Sequence, residues 1–239
     1  MKGYIAVVGE RCPLSATEIL LSQKEIDSVV TLPSDPLLPM PICDHPDSLI
    51  SIVDNRLYAH DAYCQRAKKE LSFIEKKCGI EICPTAADRG REYPLDCGFN
   101  TLYLTDRHIL IGRRKSLAEP LKKLCSINTN QGYAGCCALY AKGTVITADP
   151  SIEKSAALYG IPTYRISGEE ILLEGYNEGF IGGAGGVFSD TVCLFGSPAH
   201  SKSAAEVEFF CKSNSMQLLC LDDGPLSDRG GVKFLEIRE

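Results

Sequence analysis

The chain has 239 residues, of which 44% are hydrophobic and 23% charged, and a net charge of −6. This composition is typical of a globular protein, and the length is sufficient to bury a core without disulfides or metals. The acidic balance offers no basic surface for nucleic acid, and no apolar stretch approaches the roughly 20 residues that a membrane helix needs. The start of the sequence lacks the pattern of a secretion signal. We therefore expect a cytoplasmic protein, with no nucleic-acid or membrane partner, whose twelve cysteines are reduced.

The first part of the chain predicts a strand, a helix and a strand. Residues 4–8 and 28–32 are apolar runs of strand length, and Ser15 with Glu18 forms a capping-box pattern between them. The next segment, residues 33–46, contains five prolines. Because proline is excluded from helix interiors and central strands, this segment predicts a surface connector.

Four segments then repeat one order of elements: strand, tight turn, strand, helix, strand. They cover residues 47–83, 99–129, 132–168 and 183–222. A last apolar run at residues 232–237 pairs in our prediction with the N-terminal strand, so that both chain ends together make a fifth unit. The expected helix N-caps are Ser15, Asp61, Ser116, Asp149 and Ser203.

Hairpins that alternate with helices favour a ring of ββαβ repeats over a doubly wound sheet. Pairing of the two chain ends would close such a ring. The prediction is a single α/β domain over residues 1–239, a five-bladed β/α-propeller whose repeats surround a pseudo-five-fold axis.

The segments that enter the first strand of each unit would face this axis, and they are polar and rich in glycine. They cover residues 44–47, 96–100, 131–136, 177–183 and 228–231. Polar side chains that converge on one concavity are the default candidate for a site. We expect a small-molecule ligand at the axis, while the glycines of residues 182–186 indicate close packing there.

Several of these stretches carry a resemblance to a known family. The stretches are residues 45–47, 93–96, 131–134, 145–149, 175–176, 179–183 and 230–231. With the five repeats, they resemble the pentein fold of the guanidino-group-modifying enzymes and, more narrowly, an uncharacterised bacterial family within it. The resemblance implies a hydrolase or transferase acting on a small cationic, guanidino or amino-acid-like substrate. The usual catalytic Cys is missing after Gly230-Gly231, and the usual His is missing from residues 179–188.

Three residues of the entry segments are the candidates for catalysis. His45 suits proton transfer near neutral pH, and Asp47 could orient its ring. Cys136 is the candidate nucleophile, since a thiolate beside an imidazolium is activated. The alternatives are that His45 and Asp47 cap turns and that Cys136 is a small core residue.

A further set of entry residues is expected to bind the substrate. Asp96, Glu178 and Asp228 could form with Asp47 an acidic mouth for a cation, or serve as turn and cap residues. Arg229 could bind a substrate carboxylate or pair with one of these acids. The remaining predicted ligand contacts are Asn100, Gln131 and Tyr133.

The cysteine spacing contains no tight pair of the kind that metal sites favour. The prediction is accordingly no metal and no cofactor, with the oligomeric state left open. The alternative to an enzyme is a non-catalytic ring that binds a small molecule or another protein.

Overall fold

A computed structural model describes residues 3–238, so the predicted domain of 1–239 extends past the described residues at both ends. The described chain forms five separate three-stranded sheets. The strands are β1 (Tyr4–Gly9), β2 (Ile26–Leu32), β3 (Ile50–Val53), β4 (Arg56–His60), β5 (Glu81–Thr85), β6 (Leu102–Leu104), β7 (Ile109–Gly112), β8 (Cys125–Asn128), β9 (Ala138–Ala141), β10 (Thr144–Thr147), β11 (Thr163–Arg165), β12 (Gly185–Phe188), β13 (Thr191–Leu194), β14 (Gln217–Cys220) and β15 (Lys233–Glu236). The helices are α1 (Leu14–Leu21), α2 (Pro46–Leu49), α3 (Asp61–Arg66), α4 (Lys68–Cys78), α5 (Glu119–Leu124), α6 (Pro150–Ala157) and α7 (Lys202–Ser213).

Four of the sheets follow the predicted order of elements. In each, a hairpin places the first two strands antiparallel, and the third strand returns parallel to the second after a helix. The hairpin turns require a left-handed residue, and Asp54, His108, Lys142 and Ser189 take φ values of 47–52° there. Short polar turns between apolar runs therefore determine this part of the architecture locally.

The remaining sheet joins the two ends of the chain, as the sequence predicted. Strand β15 pairs antiparallel with β1, with Tyr4 opposite Glu236 and Val7 opposite Lys233. Strand β2 pairs parallel with β1 on its other side, which gives the order β15-β1-β2. Numbered in chain order, this is the first sheet, and the sheets that begin with β3, β6, β9 and β12 are the second to the fifth.

The buried core consists of five clusters, each of which takes side chains from two sheets. The pairs are Ile5 with Leu57 (first and second sheets), Val53 with Leu110 (second and third), Leu104 with Val145 (third and fourth), Ile146 with Val192 (fourth and fifth) and Cys193 with Val8 (fifth and first). Burying one Val or Leu side chain contributes about 1.5–3 kcal/mol. Each cluster therefore joins two sheets, together with helix side chains that pack on them.

The helix starts agree with the sequence at one of the five expected N-caps. Asp149 caps α6, because its Oδ1 accepts the N–H groups of Ser151 and Ile152 at 2.8 and 2.9 Å. The other four expectations are wrong. The N-caps of α1, α3, α5 and α7 are Pro13, His60, Ala118 and Ser201. The capping patterns lie within three residues of each helix start, but packing against the sheets shifts the start itself.

Helices with the length and apolar character needed to cross a bilayer are missing from residues 3–238.

Candidate functional site

The five entry segments are linked to one another, four by main-chain hydrogen bonds and the fifth, residues 96–100, through the side chain of Asn100. Main-chain hydrogen bonds link them: Gly183 N–H donates to the carbonyl of Cys136 at 2.9 Å, and Arg229 N–H donates to that of Gly183 at 2.8 Å. Asp47 N–H donates to the carbonyl of Gly230 at 3.2 Å. Residues from the second, fourth and fifth sheets and from the approach to β15 therefore share one site.

The carboxylate of Asp228 is the centre of this site. Its Oδ2 accepts the thiol of Cys136 at 3.1 Å and the N–H of Phe180 at 2.9 Å. Its Oδ1 accepts the N–H of Gly230 at 3.1 Å and lies 3.6 Å from Nδ1 of His45. Only 3% of Asp228 is exposed. The candidate acid/base and the candidate nucleophile therefore contact the two oxygens of one buried carboxylate.

Two glycines permit this arrangement. A Cβ at Gly183 would overlap the Asp228 carboxylate, with Oδ2 at 2.6 Å. Gly230 has a φ of +76°, and a Cβ there would lie 2.7 Å from Cγ of His45. A Cβ at Gly182 would likewise overlap main-chain oxygens, with the carbonyl oxygen of Cys136 at 2.7 Å. Close packing, as the sequence indicated for residues 182–186, is the reason for glycine at 182 and 183.

Burial controls the charge states in the site. It raises the pKa of Asp228, an effect that the neighbouring His45 opposes and the carboxylate of Asp47 reinforces. Burial also raises the pKa of the Cys136 thiol well above its usual range, and the charges of Asp228 and Asp47 raise it further. At neutral pH Cys136 is therefore a neutral thiol that donates a hydrogen bond to Asp228.

A cavity of about 260 Å³ opens in front of this cluster. His45, Ser48 and Cys136 lie on its wall, and the rings of Tyr133 and Phe180 lie 6.5 Å apart and nearly parallel. The other lining residues are Ile42, Leu173, Tyr176, Asn177 and Glu178. The site thus combines apolar and aromatic walls with a few polar groups, as small-molecule sites usually do.

The predicted catalytic residues differ in their access to the cavity. His45 and Cys136 line it, although only 3% and 5% of them is exposed. Asp47 lies behind the wall, where its Oδ1 accepts the hydroxyl of Ser48 at 3.2 Å and its Oδ2 has no partner. The Nδ1 of His45 also lacks a hydrogen bond of good geometry.

Two of the predicted binding residues support the wall from behind. The hydroxyl of Tyr133 donates to Oδ2 of Asp96 at 2.6 Å, and burial raises the pKa of Asp96 although this hydrogen bond opposes the shift. Asn100 is fully buried, and its Oδ1 accepts the N–H groups of Gly135 and Cys136 at 2.8 and 3.1 Å. Asn100 therefore holds the main chain that carries the thiol.

The predicted acidic mouth of four carboxylates is not what the structure shows. Asp47, Asp96 and Asp228 are buried, so Glu178 alone of the four carboxylates is exposed on the cavity wall. Unpaired carboxylates are costly to bury. Hydrogen bonds compensate these three in part: Ser48 donates to Asp47, Tyr133 donates to Asp96, and Cys136 and two main-chain N–H groups donate to Asp228.

Gln131 and Arg229 do not line the cavity, so their ligand contacts stay predictions. The side-chain Nε2 of Gln131 donates to Asp149 at 2.7 Å, and its Oε1 accepts the N–H of Tyr133 at 3.1 Å. Both polar atoms of the amide therefore have partners within the protein. The Nε of Arg229 is buried and has no hydrogen-bond partner. The charge of Arg229 is one of the effects that oppose burial, which raises the pKa of Cys12.

The ion pair of Arg11 with Asp44 was not expected from the sequence. The main-chain N–H and Nε of Arg11 donate to the carboxylate of Asp44 at 2.7 and 2.9 Å. Asp44 precedes His45, so the pair anchors the chain that delivers the imidazole. Asp44 belongs to the first entry segment, residues 44–47. It lies 33 residues from Arg11, and no sequence pattern indicates a pair at that separation.

Among the described residues, no group of three or more His, Cys, Asp or Glu side chains is arranged to hold a metal ion.

Comparison with solved structures identifies the fold. A cysteine-to-serine mutant of DDAH from Pseudomonas aeruginosa, complexed with citrulline, matches with a TM-score of 0.53 and 10% sequence identity over 99% of each chain. This likeness confirms the pentein fold that the sequence resembles. A search of curated protein sequences finds no match. A family model described as "Family of unknown function (DUF6873)" matches residues 7–233. The chain therefore belongs to the DUF6873 family.

Proposed function

We propose that the cavity binds a small organic cation of guanidino type and that the protein acts on it as a hydrolase or transferase. One observation carries this proposal: His45 and Cys136 line the cavity and contact the two oxygens of buried Asp228. A thiol and an imidazole held on either side of one carboxylate supply the groups that nucleophilic catalysis uses.

The charges and rings around the cavity favour a cation. Glu178 lies on the wall, and the carboxylates of Asp47 and Asp228 lie behind His45 and Cys136. The faces of Tyr133 and Phe180 can attract a cation through their π-electrons. The DDAH structure of similar fold was complexed with citrulline, a ureido compound, which is consistent with a guanidino or ureido ligand for this chain.

In the proposed reaction Cys136 attacks the central carbon of the guanidinium. The thiol proton passes to Asp228 along the existing hydrogen bond, and the raised pKa of Asp228 brings this carboxylate closer in basicity to a thiolate. The bond from carbon to the leaving amine breaks as His45 protonates the amine. Water or another protic acceptor then attacks the carbon and gives a proton to His45. The carbon–sulfur bond breaks, and the sulfur takes back its proton from Asp228, which restores the thiol.

A cationic ligand would also favour the attack by its charge. Burial and the charges of Asp228 and Asp47 raise the pKa of Cys136. A positive charge beside these carboxylates lowers the pKa of the thiol again. Thiolate formation would then depend on an occupied cavity.

We further propose that the five sheets form one closed ring with the site on its axis. Support comes from the five core clusters, which link each sheet to the next and the fifth back to the first. A second cavity, of about 930 Å³, is lined by residues from the first strands of all five sheets. The cytoplasmic location and the lack of a nucleic-acid partner stay predictions from the sequence.

A non-catalytic binding protein is the second candidate function. The observation that favours it is the neutral, deeply buried thiol of Cys136, because catalytic thiols usually lie in surroundings that lower their pKa. Such a ring would hold the same ligand without transforming it.

An assay of turnover decides between the two. Wild-type protein is incubated with a panel of guanidino compounds, and the release of amine and formation of ureido product are measured by mass spectrometry. Cys136→Ala should abolish turnover, whereas Cys137→Ala, a neighbouring buried thiol that does not line the cavity, should retain it. Binding without turnover in the wild type would favour the second function, and equal turnover in Cys136→Ala would exclude the thiol mechanism.

A further inference from the structure

We propose that Glu178 selects ligands that carry a second positive group, such as guanidino-alkylamines and diamines, over ligands whose far end is a carboxylate. The inference rests on the proposed cation site and specifies which cations it accepts. It follows from the unequal distribution of charge along the cavity.

The inner end of the cavity holds the reactive groups. His45 and Cys136 lie there, with Asp228 behind both. A guanidinium to be attacked by Cys136 must therefore point inward. The rest of the ligand extends past the rings of Tyr133 and Phe180 towards the exposed part of the wall.

That exposed part consists of three consecutive residues, Tyr176, Asn177 and Glu178. Glu178 supplies its charge, and this charge reaches the interior of the site. The pKa of the Cys137 thiol is raised mainly by burial, and Glu178 is among the carboxylates that raise it further. The far end of a bound ligand thus meets a negative potential.

No lysine or arginine among the described residues lines the cavity to offset this charge. The arginines of neighbouring segments have other partners: Arg11 pairs with Asp44, and Arg113 donates to the hydroxyl of Tyr93 with its guanidinium 5.0 Å from that ring. Arg229, the expected partner of a substrate carboxylate, does not line the cavity, although its buried Nε has no hydrogen-bond partner. A ligand carboxylate would therefore lie near Glu178 without a counter-ion.

The cavity size agrees with a short ligand of this class. A volume of about 260 Å³ lies just below the range of roughly 300–1,000 Å³ that holds drug-sized ligands. A cation with a few methylene groups between its two charges would place the methylenes against the aromatic walls.

The test compares three ligands that share one guanidinium: agmatine, arginine and arginine methyl ester. Affinities are measured by calorimetry at low salt, where interactions of exposed charges are least screened. We expect agmatine to bind at least about tenfold more tightly than arginine, a difference of about 1.4 kcal/mol. The methyl ester, whose carboxylate is masked, should bind like agmatine.

Variants assign this preference to one side chain. Glu178→Gln should reduce the preference for agmatine to about twofold, and Glu178→Arg should reverse it in favour of arginine. The matched control is Glu174→Gln, because Glu174 is exposed in the same segment but does not line the cavity. The control should bind all three ligands as the wild type does.

The outcomes separate the inference from the function on which it rests. If wild type binds arginine as tightly as agmatine, or if Glu178→Arg keeps the preference for agmatine, the role of Glu178 is wrong while the cation site stands. If none of the three ligands binds, the proposed cation site itself is wrong, and the inference falls with it.

Discussion

Replacement of Gly183 by alanine tests the close contact at the centre of the site. The new Cβ would lie 2.6 Å from Oδ2 of Asp228, and overlap with this carboxylate forces either the main chain or Asp228 to move. Overpacking of this kind costs about 1–3 kcal/mol, and weakening one hydrogen bond to a charged acceptor adds about 1.5 kcal/mol. We expect the free energy of unfolding to fall by about 3 kcal/mol, which lowers Tm by ~6–12 °C in a domain of this size.

The assay is thermal unfolding followed by circular dichroism, with Gly98→Ala as the control. Gly98 also lies in an entry segment, but the nearest atom to a Cβ there is the Ser116 carbonyl oxygen at 3.6 Å, an ordinary contact. The control should change Tm by less than about 3 °C, since its cost stays near 1 kcal/mol or below. Equal Tm values for Gly183→Ala and wild type would refute the steric argument.

Three further predictions concern the helix cap, the anchoring ion pair and the thiol. Asp149→Ala should lower the free energy of unfolding by about 1 kcal/mol, whereas Ser15→Ala, inside α1, should cost nothing; equal losses in urea titrations would contradict the assigned cap. Burial raises the pKa of Asp44, but the hydrogen bonds and charge of Arg11 outweigh it and leave this pKa lowered. The stabilisation that results is present above about pH 4, the pKa range of an unfolded Asp, and is lost at lower pH. The stability advantage of wild type over Asp44→Asn should therefore shrink between pH 7 and pH 3, and a constant advantage would exclude this origin. Iodoacetamide should label Cys136 slowly at pH 7 and faster only above pH 9, because burial raises the pKa of its thiol; rapid labelling at pH 7, mapped by mass spectrometry, would contradict the neutral thiol.

Much of the fold was predictable because its signals are local. The turn at Lys142-Gly143, the proline after Asp149 and the glycine at 160 mark one unit, and the same order recurs along the chain. The union of the two chain ends followed from counting units, and the pairing of β1 with β15 confirms it. Helix starts were less predictable. Ser15 and Ser203 match a capping pattern, but α1 and α7 each begin one residue earlier, so both serines lie inside the helices.

The candidate site was predictable in part. Entry segments could be located from their polar and glycine-rich character, and His45 and Cys136 do lie on one cavity. The orientation of individual side chains was not predictable. Asp228 and Arg229 are adjacent in sequence, yet Asp228 accepts the thiol of Cys136 whereas the Nε of Arg229 is buried without a hydrogen-bond partner.

The sequence by itself determined the order of strands, turns and helices and the segments that carry polar groups. Hydrophobic periodicity and turn-forming residues depend on neighbours along the chain, so they can be recognised without a structure. Only the tertiary structure decided that Asp228 is shared by His45 and Cys136, that Arg11 anchors Asp44 and that Glu178 remains on the exposed wall. These contacts and exposures depend on how sheets far apart in sequence pack together, because packing determines which side chains are buried and which partners they contact.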